Sequence, residues 1–255
     1  MGSQMEKYTY EEKVRRELEA WAKKVLKRPG IWERVSKKVQ TKVNDVIPDK
    51  VHTVLTATVK GLVKTVLFGL DFVPKSAPTQ GLTLEDRDLK AYELISNYKK
   101  LAAAEGAGTG AGGFVLGMAD FPALIAIKMK FLFELAHVYG YTTQDYRERL
   151  FLLYVFQLAF SSQEQKPTLY TALADWNGTV RKWPSGTEYL EQIDWEKFQR
   201  EYRDTIDLRK TLQMLPGVGA VVGAWANYGL LEELGQVGMN CYRMRRLQTE
   251  ERSHE

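Results

Sequence analysis

Between Ala102 and Phe121 the chain reads AAAEGAGTGAGGFVLGMADF, and this stretch limits the possible folds more than any other. Gly106 and Gly110, Gly108 and Gly112, and Gly113 and Gly117 are each four residues apart. On a helix, that spacing puts the missing side chains on one face, where another backbone can come close. Glycine costs a helix about 1 kcal/mol per position relative to alanine, so close packing has to offset it. A second stretch, LPGVGAVVGAWANYGLL from Leu215 to Leu231, uses the same device with Gly219 and Gly223, and with Ala220 and Ala224. The two segments are expected to pack against each other, or against a shared partner, at the centre of the fold.

The remaining chain reads as helix. Tyr10, Val14, Leu18, Trp21 and Val25 follow steps of three or four along a helix from Tyr8 to Arg28. Pro29-Gly30 breaks it, and Ile31 to Ile47 forms a second amphipathic helix with Arg34, Lys37, Lys38 and Lys42 on its polar side. A third spans Lys50 to Leu70. Phe72 to Gly81 is a loop, and Thr83 to Asp86 resembles a capping box, with Asp86 in place of the usual Glu. A helix then runs into the glycine stretch. Asp120, with Pro122 close behind, is expected to cap a new helix that ends at Gly140. Thr142 or Thr143 starts the next, Ser161 to Thr168 is a loop, and Tyr170 to Trp183 is helical and then irregular. Further helices cover Glu188 to Gln248, interrupted at Leu215-Pro216-Gly217. No alternating strand pattern appears. The chain is read as all-α: one helical domain over residues 1–255, with a basic amphipathic region at about 6–47.

Charge is uneven. Residues 1–64 carry fifteen Lys/Arg against eight Asp/Glu, a balance of +7, while the whole chain nets +4. A basic front end suits an acidic surface such as phospholipid headgroups. Trp21 and Trp32 fit a lipid interface, with Arg34, Lys37, Lys38 and Lys42 meeting anionic headgroups; the alternative is a solvated basic face with both tryptophans in the core. Nucleic acid is not expected, since no recognition-helix motif or aromatic-and-basic platform is present. The one cysteine, Cys241, precludes an internal disulfide and fits a reducing compartment. Met1 to Arg28 is highly charged with no apolar core, so no secretory leader is expected. Thr211 to Leu231 is uncharged and long enough to span a bilayer. Its Gln213, Pro216, Asn227 and four glycines favour burial within protein.

No catalytic pattern stands out. Gly113 is followed by Phe114-Val115 where a phosphate loop needs Lys and Ser/Thr. Gly108-x-Gly110-x-x-Gly113 matches the dinucleotide string, but it follows an alanine-rich helical segment where that motif needs a strand. Glu105 and Asp120 flank the glycines; they are read first as a paired charge and a cap, and second as an acid and base or a cation site. His52, His137 and His254 share no ligand spacing, so no metal site is expected, and the residues indicate no cofactor.

Three motifs carry a family resemblance: Ala104-Glu-Gly-Ala-Gly-Thr-Gly-Ala-Gly-Gly113 with Asp120-Phe-Pro-Ala-Leu124; Ala136-His-Val-Tyr-Gly-Tyr141; and Leu215-Pro-Gly-Val-Gly-Ala-Val-Val-Gly-Ala224 with Asn227-Tyr228 and Tyr242-Arg-Met-Arg245. Their order and spacing resemble the EcsC family of bacterial proteins over roughly residues 15–248. That family is named for the third component encoded beside an ABC transporter linked to exoprotein secretion and regulated proteolysis. The resemblance implies a cytoplasmic or membrane-associated protein and brings no catalytic constellation with it. The first expectation is therefore a non-enzymatic, peripherally membrane-associated protein that binds anionic lipid or a membrane protein such as an ABC transporter. The second is an enzyme or small-ligand binder with a pocket near 104–120, using Glu105, Gly110, Asp120, His137 and Asn227.

If the glycine faces are packed, a large side chain there forces backbones apart. Gly110→Leu and Gly219→Leu should each lower the thermal midpoint clearly. Two unchanged melting curves would show that both faces are open.

Overall fold

The computed structural model describes residues 9–27, 57, 61, 66, 72–110, 113–183 and 220–253; over 105–110, 113–124, 220–227 and 252–253 it describes the backbone alone. Seven α-helices and no strand are present among these residues. They are α1 (Tyr10–Val25), α2 (Leu84–Gly110), α3 (Gly113–Val138), α4 (Tyr146–Phe160), α5 (Lys166–Ala174), α6 (Trp176–Arg181) and α7 (Ala220–Ser253). The helices expected at 31–47 and 188–208 and the break at 215–217 lie outside the described residues.

Local chemistry sets most of the helix ends. At α1 the Glu12 N–H donates to Thr9 Oγ1 at 3.3 Å, and the Thr9 N–H donates to Glu12 Oε2 at 2.7 Å. This reciprocal pair satisfies two donors that a helix start leaves open. The expected box at α2 is present too: the Asp86 N–H donates to Thr83 Oγ1 at 3.1 Å, and the Thr83 N–H to Asp86 Oδ2 at 3.3 Å. Gly140, with φ of +89°, follows α3 in the left-handed conformation that suits glycine.

Three expected boundaries move. Asp120 does not begin a helix, because α3 is already helical from Gly113 and runs through Pro122. A proline inside a helix removes one backbone bond, and here the helix continues past it. The α4 cap is Asp145, whose carboxylate accepts from the Arg147 N–H at 2.9 Å, three or two residues beyond the expected threonines. The loop expected over Ser161 to Thr168 becomes helix from Lys166, where Pro167 occupies a first-turn position that needs no N–H. The part of Tyr170 to Trp183 expected to be irregular holds a short helix, α6, which Asp175 caps by accepting from the Gly178 N–H at 3.1 Å.

The core surrounds α4. Every α4 residue except Tyr146, Arg147 and Tyr154 is buried, including Leu150 to Leu153 and Val155 to Phe160. A helix apolar on all sides belongs in the interior. Phe151 and Tyr154 meet the Trp176 ring edge-on at 5.1 and 5.5 Å, which fixes α6 against α4. The longest helix, α7, packs along α2 in antiparallel register. Asp88 meets Arg243, Ile95 meets Gly235, and Lys99 pairs with Glu232. Helix α3 returns along α2, with Tyr98 against Phe131 at 5.5 Å and the Tyr98 hydroxyl donating to Glu134 at 2.7 Å.

Two glycines of α7 allow these approaches. A Cβ built on Gly235 would sit 2.7 Å from Ile95 Cγ1, and one on Gly238 would sit 2.6 Å from Leu135 Cδ2. Gly235 therefore lies against α2, and Gly238 against α3. Gly229, on the same helix, has open space around it. None of the three belongs to the four-residue pairs that the sequence singles out.

Substitution should separate these positions. Gly235→Leu is expected to lower unfolding free energy by about 1–3 kcal/mol through overpacking against buried Ile95. Gly229→Ala should raise it by up to about 1 kcal/mol, since it removes only helix-entropy cost. Urea denaturation measures both, and equal effects at the two sites would contradict the packing described here.

Candidate functional site

Along α2 the positions Leu84, Asp88, Ala91, Ile95, Tyr98 and Ala102 alternate steps of three and four, and all are buried. Asp88 is the charged member of that stripe, at 1% exposure. A carboxylate there requires partners, because an unpaired buried charge is costly. Three donors supply them. Arg243 Nε of α7 donates at 2.8 Å, the Tyr10 hydroxyl of α1 donates at 2.7 Å, and the Tyr139 hydroxyl just beyond α3 donates to the other oxygen. Asp88 thus ties α1, the end of α3 and α7 to α2. Arg243 also reaches Glu17 Oε2 at 3.1 Å and the Tyr92 hydroxyl at 3.4 Å. Burial and the Asp88 carboxylate both push the Tyr10 and Tyr139 hydroxyls well above the usual tyrosine range.

One residue earlier on α7, Tyr242 leads to a second cluster. Its hydroxyl donates to Glu148 Oε1 at 2.6 Å, and Arg245 Nη1 lies 3.0 Å from both Glu148 oxygens. Burial holds the Glu148 carboxyl above the ordinary range against the opposing pull of Arg245 and the Tyr242 hydroxyl. The Arg245 guanidinium lies over the rings of Tyr141 and Phe151 at 4.0 and 4.2 Å, a cation–π arrangement suited to a desolvated arginine. The Tyr242 ring joins the two clusters, stacking on Tyr139 at 5.2 Å and on Tyr141 at 5.3 Å. The chain turn Tyr139-Gly140-Tyr141 therefore holds both tyrosines against α7.

Beside this turn the buried Arg87 donates to three carbonyls: Leu82 at 3.2 Å, Thr79 at 3.1 Å and Val138 at 2.7 Å. It thereby closes the end of α3 and ties down the 79–82 loop. His137 completes the same corner. Its Nδ1 lies 3.1 Å from the Ser76 carbonyl and its Nε2 lies 3.2 Å from Thr143 Oγ1, with burial lowering its pKa. A neutral ring fits both contacts, with Nδ1–H donating to the carbonyl and Nε2 accepting from the hydroxyl. His137 is thus a bonded core histidine. Two further buried groups show the same desolvation: the Lys128 ammonium on α3 is pulled down to about 7, and the Cys241 thiol is pushed far up.

The expected ligand residues divide between the ends of the helices. Glu105 and Gly110 lie on the last turns of α2, Asp120 on α3 and Asn227 on α7; their side chains are outside the described residues. His137 lies seventeen residues from Asp120 on one helix, about 25 Å along its axis at 1.5 Å per residue. The two do not share a site. Trp21 is half-buried, with its ring edge against Tyr170 at 5.6 Å. Trp32, Arg34, Lys37, Lys38 and Lys42 lie outside the described residues. Among those described, no group of three or more His, Cys, Asp or Glu is arranged to hold a metal, and no helix is long and apolar enough to cross a membrane.

Sequence reasoning missed Asp88, Glu148, Arg243 and Arg245. A signal for Asp88 existed: a carboxylate at a core position of an otherwise apolar stripe. The Tyr242-Arg-Met-Arg245 string was visible, but its partners lie 94 to 155 residues away in the chain. Removing one member of the first cluster strands the other. Asp88→Leu and Arg243→Met should each cost about 3–5 kcal/mol, and the double replacement that combines them should cost much less than the sum. Urea titrations in a double-mutant cycle read the coupling; additive losses would show that the pair is energetically independent.

Comparison with known proteins gives a family. The family model described as "EcsC protein family" matches residues 12–247. A Bacillus subtilis (strain 168) protein named "Protein EcsC" is 46% identical over 225 residues, covering 88% of this chain and 91% of that one. A second protein of that organism, "Uncharacterized protein YdbA", is 30% identical over 151 residues, 59% of this chain and 54% of its own length. No solved structure matches. The match over nearly the whole chain includes the Ala136–Tyr141 turn and the Tyr242–Arg245 segment around which the buried clusters form, and the chain belongs to the EcsC protein family.

Proposed function

We propose that this protein acts without catalysis, as one helical domain held peripherally on an anionic membrane face, where it binds lipid or a membrane protein such as an ABC transporter. The observation that carries this reading is the C-terminal end of α1. Lys23, Lys24 and Lys27 are exposed there around Leu26, itself 42% exposed. The opposite face of the helix is anchored by Val14, Leu18, Trp21 and Val25, which pack on the core. Gln163 Nε2 fixes the end by donating to the Val25 and Lys27 carbonyls, each at 2.8 Å. A rigid basic tip with an apolar centre suits an interface of anionic headgroups. It also lies within the first 64 residues, whose balance is +7. The EcsC resemblance supports the transporter setting. The two buried clusters support the non-catalytic reading, because their charged groups bond to one another.

Each basic residue near an anionic surface contributes about 1 kcal/mol, screened within about 10 Å at 0.1 M salt. Cosedimentation with liposomes is therefore expected to require anionic lipid and to weaken as salt rises. Replacing Lys23, Lys24 and Lys27 with glutamine should reduce it, as should replacing Arg34, Lys37, Lys38 and Lys42. Equal, salt-independent binding to neutral and anionic liposomes would instead favour apolar insertion by residues 211–231. Absence of binding to either would remove the lipid reading and leave a protein partner.

A further inference from the structure

Helix α1 is held on the core by polar ties whose buried partners are satisfied without it. The Tyr10 hydroxyl donates to Asp88 Oδ2 at 2.7 Å, but Asp88 also receives Arg243 Nε at 2.8 Å and the Tyr139 hydroxyl. Glu17 meets Arg243 Nη1 at 3.1 Å, yet that guanidinium also keeps Asp88, and the Asn240 side-chain oxygen and Tyr92 hydroxyl, each at 3.4 Å. Arg15 pairs with Glu251, and these side chains are 43% and 54% exposed, so water and salt screen the contact. Gln163 donates to the Val25 and Lys27 carbonyls, which sit at a helix end where water serves equally well. A buried charge left alone makes a helix contact hard to open; departure of α1 leaves none. The apolar contact is narrow as well. Val14 and Val25 are buried, while Tyr10, Leu18 and Trp21 are half-buried against the core.

The helix also carries its own stabilising chemistry. Thr9 and Glu12 cap its start, Glu11 and Glu12 lie in the first turn, and Lys23 and Lys24 lie in the last. Lys13 and Glu17 pair one turn apart at 3.9 Å. Off the core, α1 presents a stripe of Val14, Leu18, Trp21 and Val25, with Leu26 at its end. By helical spacing Lys13 and Lys24 border that stripe on one side and Arg15 on the other. An apolar stripe with basic borders suits a helix lying in an anionic headgroup layer. We propose that α1 is a detachable anchor: on an anionic bilayer it leaves the core and turns its buried stripe into the acyl-chain boundary. This rests on the membrane reading above and adds a motion to it. With α1 docked, the Trp21 ring packs edge-on to Tyr170 at 5.6 Å, and only release brings it to lipid.

The test uses the full chain and phosphatidylcholine vesicles, with and without phosphatidylglycerol, whose acyl chains carry bromine. Bromine quenches tryptophan fluorescence at contact, so the difference between wild type and Trp21→Phe reports Trp21. With saturating anionic vesicles, wild type should lose a share of its fluorescence that Trp21→Phe does not lose. Tyr10→Phe removes one tie without changing charge and leaves Asp88 paired with Arg243. It should reach half-saturation at several-fold lower anionic lipid than wild type. Binding with equal quenching of wild type and Trp21→Phe would overturn the release of α1 and leave the docked basic tip standing. Binding of Tyr10→Phe no tighter than wild type would overturn it too, since the ties would then not restrain the helix. Absence of binding by all three proteins would overturn the inference and the membrane reading together.

Discussion

The Asp88 carboxylate is the point on which four separate chain segments depend. It sits at a core position of α2 and receives donors from α1, from the turn after α3 and from α7. Hydrophobic contacts alone set no unique rotation of one helix against another, since one leucine face packs nearly as well as the next. A buried carboxylate with three directed donors leaves little freedom, because any rotation strands a charge. Glu148 repeats the arrangement one step along α7, with Tyr242 and Arg245. The Tyr139–Tyr242 stack makes the two clusters one continuous structure.

Close packing between helices follows from different chemistry. Gly235 and Gly238 on α7 leave space that Ile95 of α2 and Leu135 of α3 fill. On α7 these glycines lie between its start at Ala220 and the polar clusters at 242–245, nearer the clusters. The long helix is therefore fixed by polar contacts toward one end and by side-chain-to-backbone contact further along. Around them α4 supplies the apolar filling, buried on nearly every side.

In both clusters the buried carboxylate is matched by an arginine and by tyrosine hydroxyls. One place differs: at the basic tip of α1, Lys23, Lys24 and Lys27 are exposed around Leu26.

The all-helical class could be read from periodicity, as could the Thr83–Asp86 box and the Gly140 terminus, because each depends on residues within a few positions of one another. The family could be read from the order of its motifs. The start of α3 could not: Asp120 and Pro122 form a good local start signal, but the helix was already running from Gly113. The contacts of Gly235 with Ile95 and of Gly238 with Leu135 could not either, since four-residue spacing shows where a helix can be approached and does not say what approaches it. His137 and Asp120 looked like members of one site in the sequence, yet helical rise separates them by about 25 Å. Sequence alone determined the helical class of the described residues and the local end signals at Thr83–Asp86 and Gly140. Only the tertiary structure decided which charge meets which, because Asp88 and Arg243 are 155 residues apart and only the packing of α2 against α7 brings them together.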